Sequence, residues 1–154
     1  MADLPKIFYG KDFEPGKKFM SMGRTIGESD VMAFAGLSGD NTSLHTNAQA
    51  MAQSQFGGRL AHGMLVASIA TGLQHRMGLT EGAIAALSTE WKFTGPVMFG
   101  DTIRCEIGIL EAKRSNSKPD RGMIRFSFRV LNQKDVLCQE GSLTAMYWWE
   151  GPPK

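Results

Sequence analysis

The sequence of 154 residues has few cysteines, little net charge and no long apolar run. Its two cysteines, Cys105 and Cys138, fall in strand-like segments, so free buried thiols are the preferred interpretation and a single disulfide is the alternative. The 17 basic and 15 acidic residues leave a net charge of +2. This balance argues against nucleic acid or a membrane surface as the main partner. No apolar stretch approaches the roughly 20 residues that cross a bilayer.

Several motifs of familiar functional sites are also missing. The sequence contains no glycine-rich phosphate loop of the nucleotide-binding kinds, and the absence of a Gly-x-Ser-x-Gly elbow gives serine hydrolysis no support. The three histidines, His45, His62 and His75, stand without clustered cysteine or acidic ligands, so no metal site is predicted. The first 18 residues lack the basic-then-apolar pattern of a signal peptide, and a cytoplasmic location is therefore expected.

The composition that is present is that of a globular protein with a real core. It is 42% hydrophobic and 21% charged, which is consistent with one domain over residues 1–154. A helix is predicted to begin near Glu28, with Ser29 as a plausible N-cap and Gly39 as its C-terminal stop. Asn47 is predicted to cap a short second helix.

The most strongly apolar helical segment covers residues 64–78. Its large apolar side chains recur at helical spacing, and the other positions carry mainly small residues rather than charges. A helix that is apolar or small nearly all round is predicted to be buried on several sides. The large apolar residues are Met64, Leu65, Ile69, Leu73 and Met77.

Strand patterns dominate the second half of the chain. The alternation is clearest where Ile124, Phe126, Phe128 and Val130 share one face. Short connections between the strands predict antiparallel neighbours. The predicted strands cover residues 18–26, 83–93, 102–112, 122–132 and 136–148.

Together these elements predict an α+β fold in which one curved antiparallel sheet wraps around the long helix. Because that helix covers only one side of the sheet, edge strands and some apolar surface are expected to stay exposed. We therefore expect a homodimer formed by edge pairing or helix packing, with a higher homo-oligomer as the alternative.

Asp40 and His45 are the candidate acid–base pair. They lie five residues apart in a segment without helix or strand periodicity. A carboxylate beside an imidazole is a common arrangement for general acid–base catalysis or for holding a water molecule. The structural alternatives are that Asp40 is an ordinary turn residue and that His45 is a surface loop histidine.

The start of the long helix, at His62 and Gly63, is the second part of the candidate site. Free N–H groups and the positive end of the helix dipole suit a carbonyl oxygen or an oxyanion. Thr71 lies about two helical turns further on and is a candidate hydrogen-bond donor to a ligand. The alternative for His62 is a structural hydrogen bond.

Two groups of residues carry a resemblance to a known family. The first comprises FAGLSGD at 34–40, LH at 44–45 and FGGRLAHGML at 56–65, and the second comprises Phe93, GPV at 95–97 and GDTI at 100–103. Together they resemble the signature of the MaoC-like dehydratases, the (R)-specific enoyl-CoA hydratases of the hotdog fold. The resemblance implies that fold, with its antiparallel sheet wrapped around a long central helix.

The resemblance also implies roles for individual residues. Asp40 would act as the base on a water molecule, and His45 would hold the same water and help to deliver a proton to C2. Water would thereby add syn across the double bond of a trans-2-enoyl-CoA, which is hydro-lyase chemistry of fatty acid metabolism. The Gly63 amide, next to His62, would polarise the thioester carbonyl, and Thr71 would supply a hydroxyl group. No separate cofactor is implied, because the acyl-CoA substrate carries the coenzyme A.

The sequence departs from the family pattern in the loop between Asp40 and His45. Thr42 stands where the family has asparagine, and Ser43 stands where it has proline. We expect weaker support of the catalytic pair and a looser loop, because the fixed φ angle of proline is lost. Two other functions stay open, a non-catalytic hotdog protein that binds acyl thioesters and an acyl-CoA thioesterase. The residues expected to set the acyl-chain pocket are Met20, Met32, Met64, Leu65 and Trp91.

Overall fold

A computed structural model describes residues 7–153 and shows a sheet of six strands. The four long strands are β3 (Ala83–Phe93), β4 (Thr102–Arg114), β5 (Arg121–Leu131) and β6 (Leu137–Trp148). Each lies within two residues of its predicted bounds. The predicted α+β architecture is confirmed, since these strands form an antiparallel sheet against which the longest helix packs.

The alternation predicted for β5 is confirmed in the packing. Ile124, Phe126, Phe128 and Val130 are all buried in the core, whereas Arg125 and its outward neighbours face solvent. The period of two places every second side chain on the same face of the sheet. One face of β5 therefore supplies the layer on which the helix rests.

The order of the strands differs from the predicted meander. Starting from β1 (Lys18–Met20), the sheet runs β1-β4-β5-β6-β3, so β3 pairs with β6 and not with β4, which follows it in sequence. The connection over residues 94–101 therefore crosses from edge strand β3 to β4, past β5 and β6, instead of making a tight turn between neighbouring strands. On the way it pairs with the chain at Leu60 and Ala61, where the Ala61 N–H donates to Val97 O at 2.8 Å.

The strand predicted over residues 18–26 is divided in two. β1 (Lys18–Met20) and β2 (Arg24–Thr25) both pair with β4, but four steps from Met20 to Arg24 oppose three steps from Glu106 to Ile103. One residue is therefore extra, as in a β-bulge. The Ser21 hydroxyl bridges the irregularity by accepting a hydrogen bond from Cys105 N at 2.8 Å.

Within residues 7–153, four α-helices accompany the sheet. Gly27, rather than Ser29, is the N-cap of the first helix, and the Asp30 carboxylate accepts the Gly27 N–H at 2.9 Å. Gly39 ends that helix in the left-handed conformation, as predicted, with φ of 78°. Asn47 caps a helix as predicted, accepting from Ala50 N. This helix is the third and not the second, because a short helix also forms in the segment that was predicted to lack one. The helices are α1 (Glu28–Ser38), α2 (Ser43–Thr46), α3 (Ala48–Ala52) and α4 (Gly63–Arg76).

Helix α4 is the long apolar helix, and it is buried on the side that faces the sheet. Its exposed side forms a single stripe of small and polar residues with Met64 at one end. Burial on several sides is thus confirmed for most of the helix, but not for this stripe in the single chain. Within residues 7–153, no helix has the length and hydrophobicity needed to cross a membrane. The buried residues of α4 are Leu65, Val66, Ala67, Ala70, Leu73 and Gln74.

Candidate active site

A cavity of about 620 Å³ opens at the N-terminal end of α4. Its wall comes from α1, from the segment between α1 and α4, from the end of β3 and from the start of β6. The crossing connection after β3 closes one side, because Val97 is hydrogen-bonded to Ala61. The topology that sequence reasoning missed is therefore what brings two distant parts of the chain together around this cavity.

Asp40 and His45 both line this cavity. The Asp40 Oδ2 lies 3.8 Å from His45 Nε2, which is too long for a direct hydrogen bond and suits a bridging water molecule. The other ring nitrogen, Nδ1, lies 2.7 Å from Leu60 O. A carbonyl oxygen only accepts, so Nδ1 carries the proton and Nε2 presents its lone pair to Asp40. His45 is buried, whereas the Asp40 side chain is 46% exposed.

The carboxylate of Asp40 is held in its ionised form by Thr42. The Thr42 N–H lies 3.3 Å from Asp40 Oδ1. This backbone bond, followed by the Thr42 hydroxyl, lowers the pKa of Asp40 against a smaller opposing effect of desolvation, and His45 and His62 add a weaker contribution. The residue that replaces the expected asparagine therefore supports the pair directly.

The loop after Asp40 is also hydrogen-bonded without proline. Ser43 occupies the first position of α2, where proline is common because that N–H has no helical partner. Thr42 O accepts from the N–H groups of both His45 and Thr46. These bonds belong to the first turn of α2 and tie Thr42 to His45.

His62 is packed against both members of the pair. Its ring stacks on the ring of His45 with centroids 3.6 Å apart, and its Nε2 donates to the Asp40 carbonyl oxygen at 2.9 Å. The ring of Phe34 covers it at a centroid distance of 5.0 Å. The structural hydrogen bond, which was the alternative for His62, is thus present, and it fixes the backbone that carries Asp40.

A side-chain group from each of Asp40, His45 and His62 lies within 4.8 Å of the others. The prediction of no metal took the histidines to have no acidic ligand beside them, and it overlooked Asp40 as a third possible ligand. The two imidazoles are stacked with an interplanar angle of 26°, so their in-plane lone pairs do not converge on one ion. The arrangement fits acid–base chemistry better than metal binding.

Gly63 places the start of α4 on the cavity wall. No side chain caps the helix N-terminus among the described residues, and the first N–H groups of a helix have no partner within it. A Cβ atom at Gly63 would lie 2.8 Å from the Phe93 ring, so only glycine fits here. On the carbonyl side, Gln139 Nε2 donates to Gly63 O at 3.0 Å.

The structure places Thr71, a candidate site residue, and His75, the third histidine, away from this cavity. Thr71 does not line it, and its hydroxyl donates to Ser68 O at 2.7 Å. Its position two turns along α4 is simply too far from the helix start. His75 lies 2.7 Å from the Thr80 hydroxyl, at the opposite end of α4.

The expected chain-pocket residues contribute only one member to the lining, Met64. Two residues that sequence reasoning did not single out as functional, Phe34 and Gln139, do line the cavity. Phe34 was visible within the family signature, whereas Gln139 stands in a strand without clean alternation and gave no signal. The apolar part of the wall includes Leu44, Phe56, Met64, Phe93 and Val97.

Comparison with known proteins gives matches to one family. Residues 12–124 match the model of the MaoC like domain family. The chain is 34% identical over 108 residues to an (R)-specific enoyl-CoA hydratase of Rhodospirillum rubrum, covering 70% of this chain and 74% of the relative. It is 37% identical over 114 residues to Protein MaoC of Klebsiella aerogenes, covering 73% of this chain but only 33% of that longer protein.

Solved structures agree as well. A MaoC-like dehydratase from Rhodospirillum rubrum superposes with a TM-score of 0.83 at 27% identity, covering 96% of this chain and 99% of that one. A Mycobacterium tuberculosis protein with a double hotdog fold superposes with a TM-score of 0.83 at 21% identity, covering 96% of this chain and 47% of that one. With the match to the family model, these likenesses show that the chain has the hotdog fold and belongs to the MaoC-like dehydratase family.

Proposed function

We propose that this protein is an (R)-specific enoyl-CoA hydratase, a hydro-lyase that adds water syn to a trans-2-enoyl-CoA and catalyses the reverse dehydration. The observation that carries the proposal is the 3.8 Å separation of Asp40 Oδ2 and His45 Nε2 in a cavity that also contains the uncapped start of α4. The Rhodospirillum rubrum relative is named an (R)-specific enoyl-CoA hydratase, which supports the substrate class and the stereochemistry.

Asp40 and His45 act together on one water molecule. The ionised Asp40 carboxylate and the Nε2 lone pair of His45 each accept one of its O–H groups, which leaves an oxygen lone pair for C3. As the oxygen–C3 bond forms, Asp40 takes a proton from the water. The proton that Asp40 has taken then passes to C2, with His45 helping by holding the water oxygen in place, so Asp40 returns to its ionised form and one water adds to one face of the double bond.

The N–H of Gly63 polarises the thioester carbonyl. Negative charge develops on this oxygen while C3 is attacked, and a fixed N–H at a helix N-terminus stabilises that charge. The Phe93 ring lies beside Gly63, and the Gln139 amide donates to the Gly63 carbonyl oxygen. Both contacts hold the backbone of Gly63 in place. The acyl chain lies along the apolar wall that includes Leu44 and Phe56.

The active form in this proposal is a homodimer. Strand β3 is one edge of the sheet, and no described strand pairs with its outer side. It is 11 residues long with Leu87 and Phe93 about half exposed, and a long open edge of this kind favours pairing with a second copy. The unpaired buried thiols of Cys105 and Cys138 fit a reducing, cytoplasmic location.

Hydration of crotonyl-CoA tests the proposal. Loss of the enoyl absorbance, with (R)-3-hydroxybutyryl-CoA identified by chiral analysis, is the expected result. Release of free coenzyme A without hydration would instead support a thioesterase. Binding without turnover over a range of chain lengths would support the non-catalytic thioester-binding protein.

A further inference from the structure

Gln139 is a buried polar residue whose oxygen the mechanism above does not use. It lies on β6 opposite Phe93 of β3 and Val130 of β5. The residue is only 2% exposed, yet it lines the cavity that contains Asp40 and Gly63. Buried amide groups normally satisfy both ends with hydrogen bonds, so an unsatisfied end at a cavity wall points to a ligand.

The orientation of the Gln139 amide is fixed by its neighbour. Its Nε2 lies 3.0 Å from Gly63 O, and the reverse orientation would place two acceptors against each other. The Oε1 atom is therefore the end that is left over. It is buried and has no hydrogen-bond partner among residues 7–153.

Gly63 and Gln139, which both line the cavity, thus bring donors and an acceptor close together. The first N–H groups of α4, at Gly63 and Met64, are donors, and Gln139 Oε1 is an acceptor bonded through its own amide to Gly63. A thioester carbonyl only accepts, so it is attracted by the helix and repelled by Oε1. The Oε1 atom requires a second ligand group that carries an N–H or O–H.

We propose that Gln139 Oε1 accepts a hydrogen bond from the first amide N–H of the mercaptoethylamide arm of coenzyme A. In this arm only sulfur and two methylene groups separate the thioester carbon from the amide nitrogen, so both groups fit one cavity wall. Gln139 is then a specificity-determining residue that distinguishes amide-bearing thioesters from plain alkyl thioesters. This inference rests on the proposed hydratase function and names how that site recognises the arm.

Two small thioesters of matched length test the contact. Crotonyl N-acetylcysteamine thioester contains the amide, and crotonyl S-pentyl thioester replaces it by methylene groups. We expect wild-type protein to hydrate the first with a kcat/KM about tenfold higher than the second, because one buried hydrogen bond is at stake. In Gln139→Met, which keeps the volume and loses the acceptor, this preference should disappear.

The kinetic parameters separate recognition from positioning. A contact remote from the reacting atoms acts mainly on KM, so the tenfold difference should appear there. If Gln139→Met instead lowers kcat for both thioesters by the same factor and leaves their ratio unchanged, Gln139 only positions Gly63 and the proposal is wrong. A wild-type protein that hydrates both substrates equally well would overturn it too.

Gln74→Met is the matched control. Gln74 is the other buried glutamine with an unpartnered side-chain oxygen, but it faces the core and does not line the cavity. Its variant should keep the wild-type preference. Gln139→Asn, which withdraws the oxygen by one methylene, serves as a second test if Gln139→Met fails to fold. Absence of hydration of either thioester and of crotonyl-CoA by wild type would refute the proposed function itself.

Discussion

The two ends of helix α4 are built in opposite ways. At the N-terminal end, Gly63 begins the helix without a side-chain cap, and this residue lines a cavity. At the C-terminal end, Gly78 adopts φ of 76° and its N–H donates to His75 O at 2.8 Å, which is the usual closure of a helix. One end leaves polar groups available to a ligand, and the other satisfies them within the chain.

The residues around the C-terminal end continue this closure. The Tyr147 hydroxyl donates to Leu79 O at 2.8 Å, and burial raises the pKa of this phenol. The Phe13 ring packs edge-on against Tyr147 at a centroid distance of 5.1 Å. Gln74 is the exception, since both of its side-chain polar atoms are unpartnered within the described chain. We expect mutations at this end to change stability and mutations at the other end to change activity.

The largest effect should come from the catalytic pair. Asp40→Asn and His45→Gln should each lower kcat for crotonyl-CoA at least 100-fold, because the first removes the base that takes the proton and the second removes the imidazole that holds the water. The melting temperature should stay close to wild type, since Asp40 is half exposed and glutamine fills the space of histidine. His75→Gln, at the closed end of α4, is the control and should keep full activity. Retained activity in either of the first two variants would remove that residue from the mechanism.

Gly63→Ala should have the next largest effect. Its new Cβ would lie 2.8 Å from the Phe93 ring, so the ring or the helix start must shift, and the contact that keeps the N–H at the thioester oxygen is lost. We expect kcat to fall by roughly 10- to 100-fold, since misplacing one oxyanion donor has effects of this order. Gly72→Ala on the same helix is the control, because no atom lies within 4 Å of the new Cβ. Equal activities of the two variants would contradict a role for the Gly63 amide.

Tyr147→Phe should separate stability from activity at the closed end. The variant leaves Leu79 O buried without its donor, so the free energy of unfolding should fall by about 1–2 kcal/mol. Urea denaturation measures this loss, and the crotonyl-CoA assay at a temperature where both proteins are folded should show unchanged kcat/KM. A large loss of activity would show that the two ends of α4 are not independent.

Thr42→Val should give the smallest change, and it concerns pH. The hydroxyl of Thr42 favours the charged form of Asp40, so its removal should raise the Asp40 pKa. Activity that requires the carboxylate should then be lost at a higher pH on the acidic side. The shift should be small, because the Thr42 N–H, the larger cause of the lowered pKa, stays in place. Thr46→Val is the control, since that hydroxyl donates to Asn41 O and Thr42 O. An identical acid limb in wild type and Thr42→Val would contradict this account.

Features that depend on local pattern were predictable from the sequence. The alternation of Ile124, Phe126, Phe128 and Val130 specified the buried face of β5, because side chains alternate along any strand. Gly39 and Asn47 marked helix ends through their own backbone and side-chain chemistry. The pairing of β3 with β6 was not predictable in this way, since it depends on long-range contacts that no segment encodes alone.

The candidate site likewise combines residues that local sequence patterns identify with residues that they do not. The spacing of Asp40 and His45 and the sequence before Gly63 identified the candidate reacting groups. Their geometry came from distant residues, namely Leu60 on His45, Phe93 beside Gly63 and Gln139 on the Gly63 carbonyl. Gln139 lies 76 residues from Gly63, and no local motif connects them.

The position of Phe93 would make hydration activity depend on formation of the proposed dimer. This residue is the last of edge strand β3, its ring abuts Gly63, and 55% of its surface is exposed in the single chain. A second copy that pairs along β3 would therefore also confine the ring against the catalytic amide. Specific activity should then depend on protein concentration and decline on dilution below the dissociation constant of the dimer.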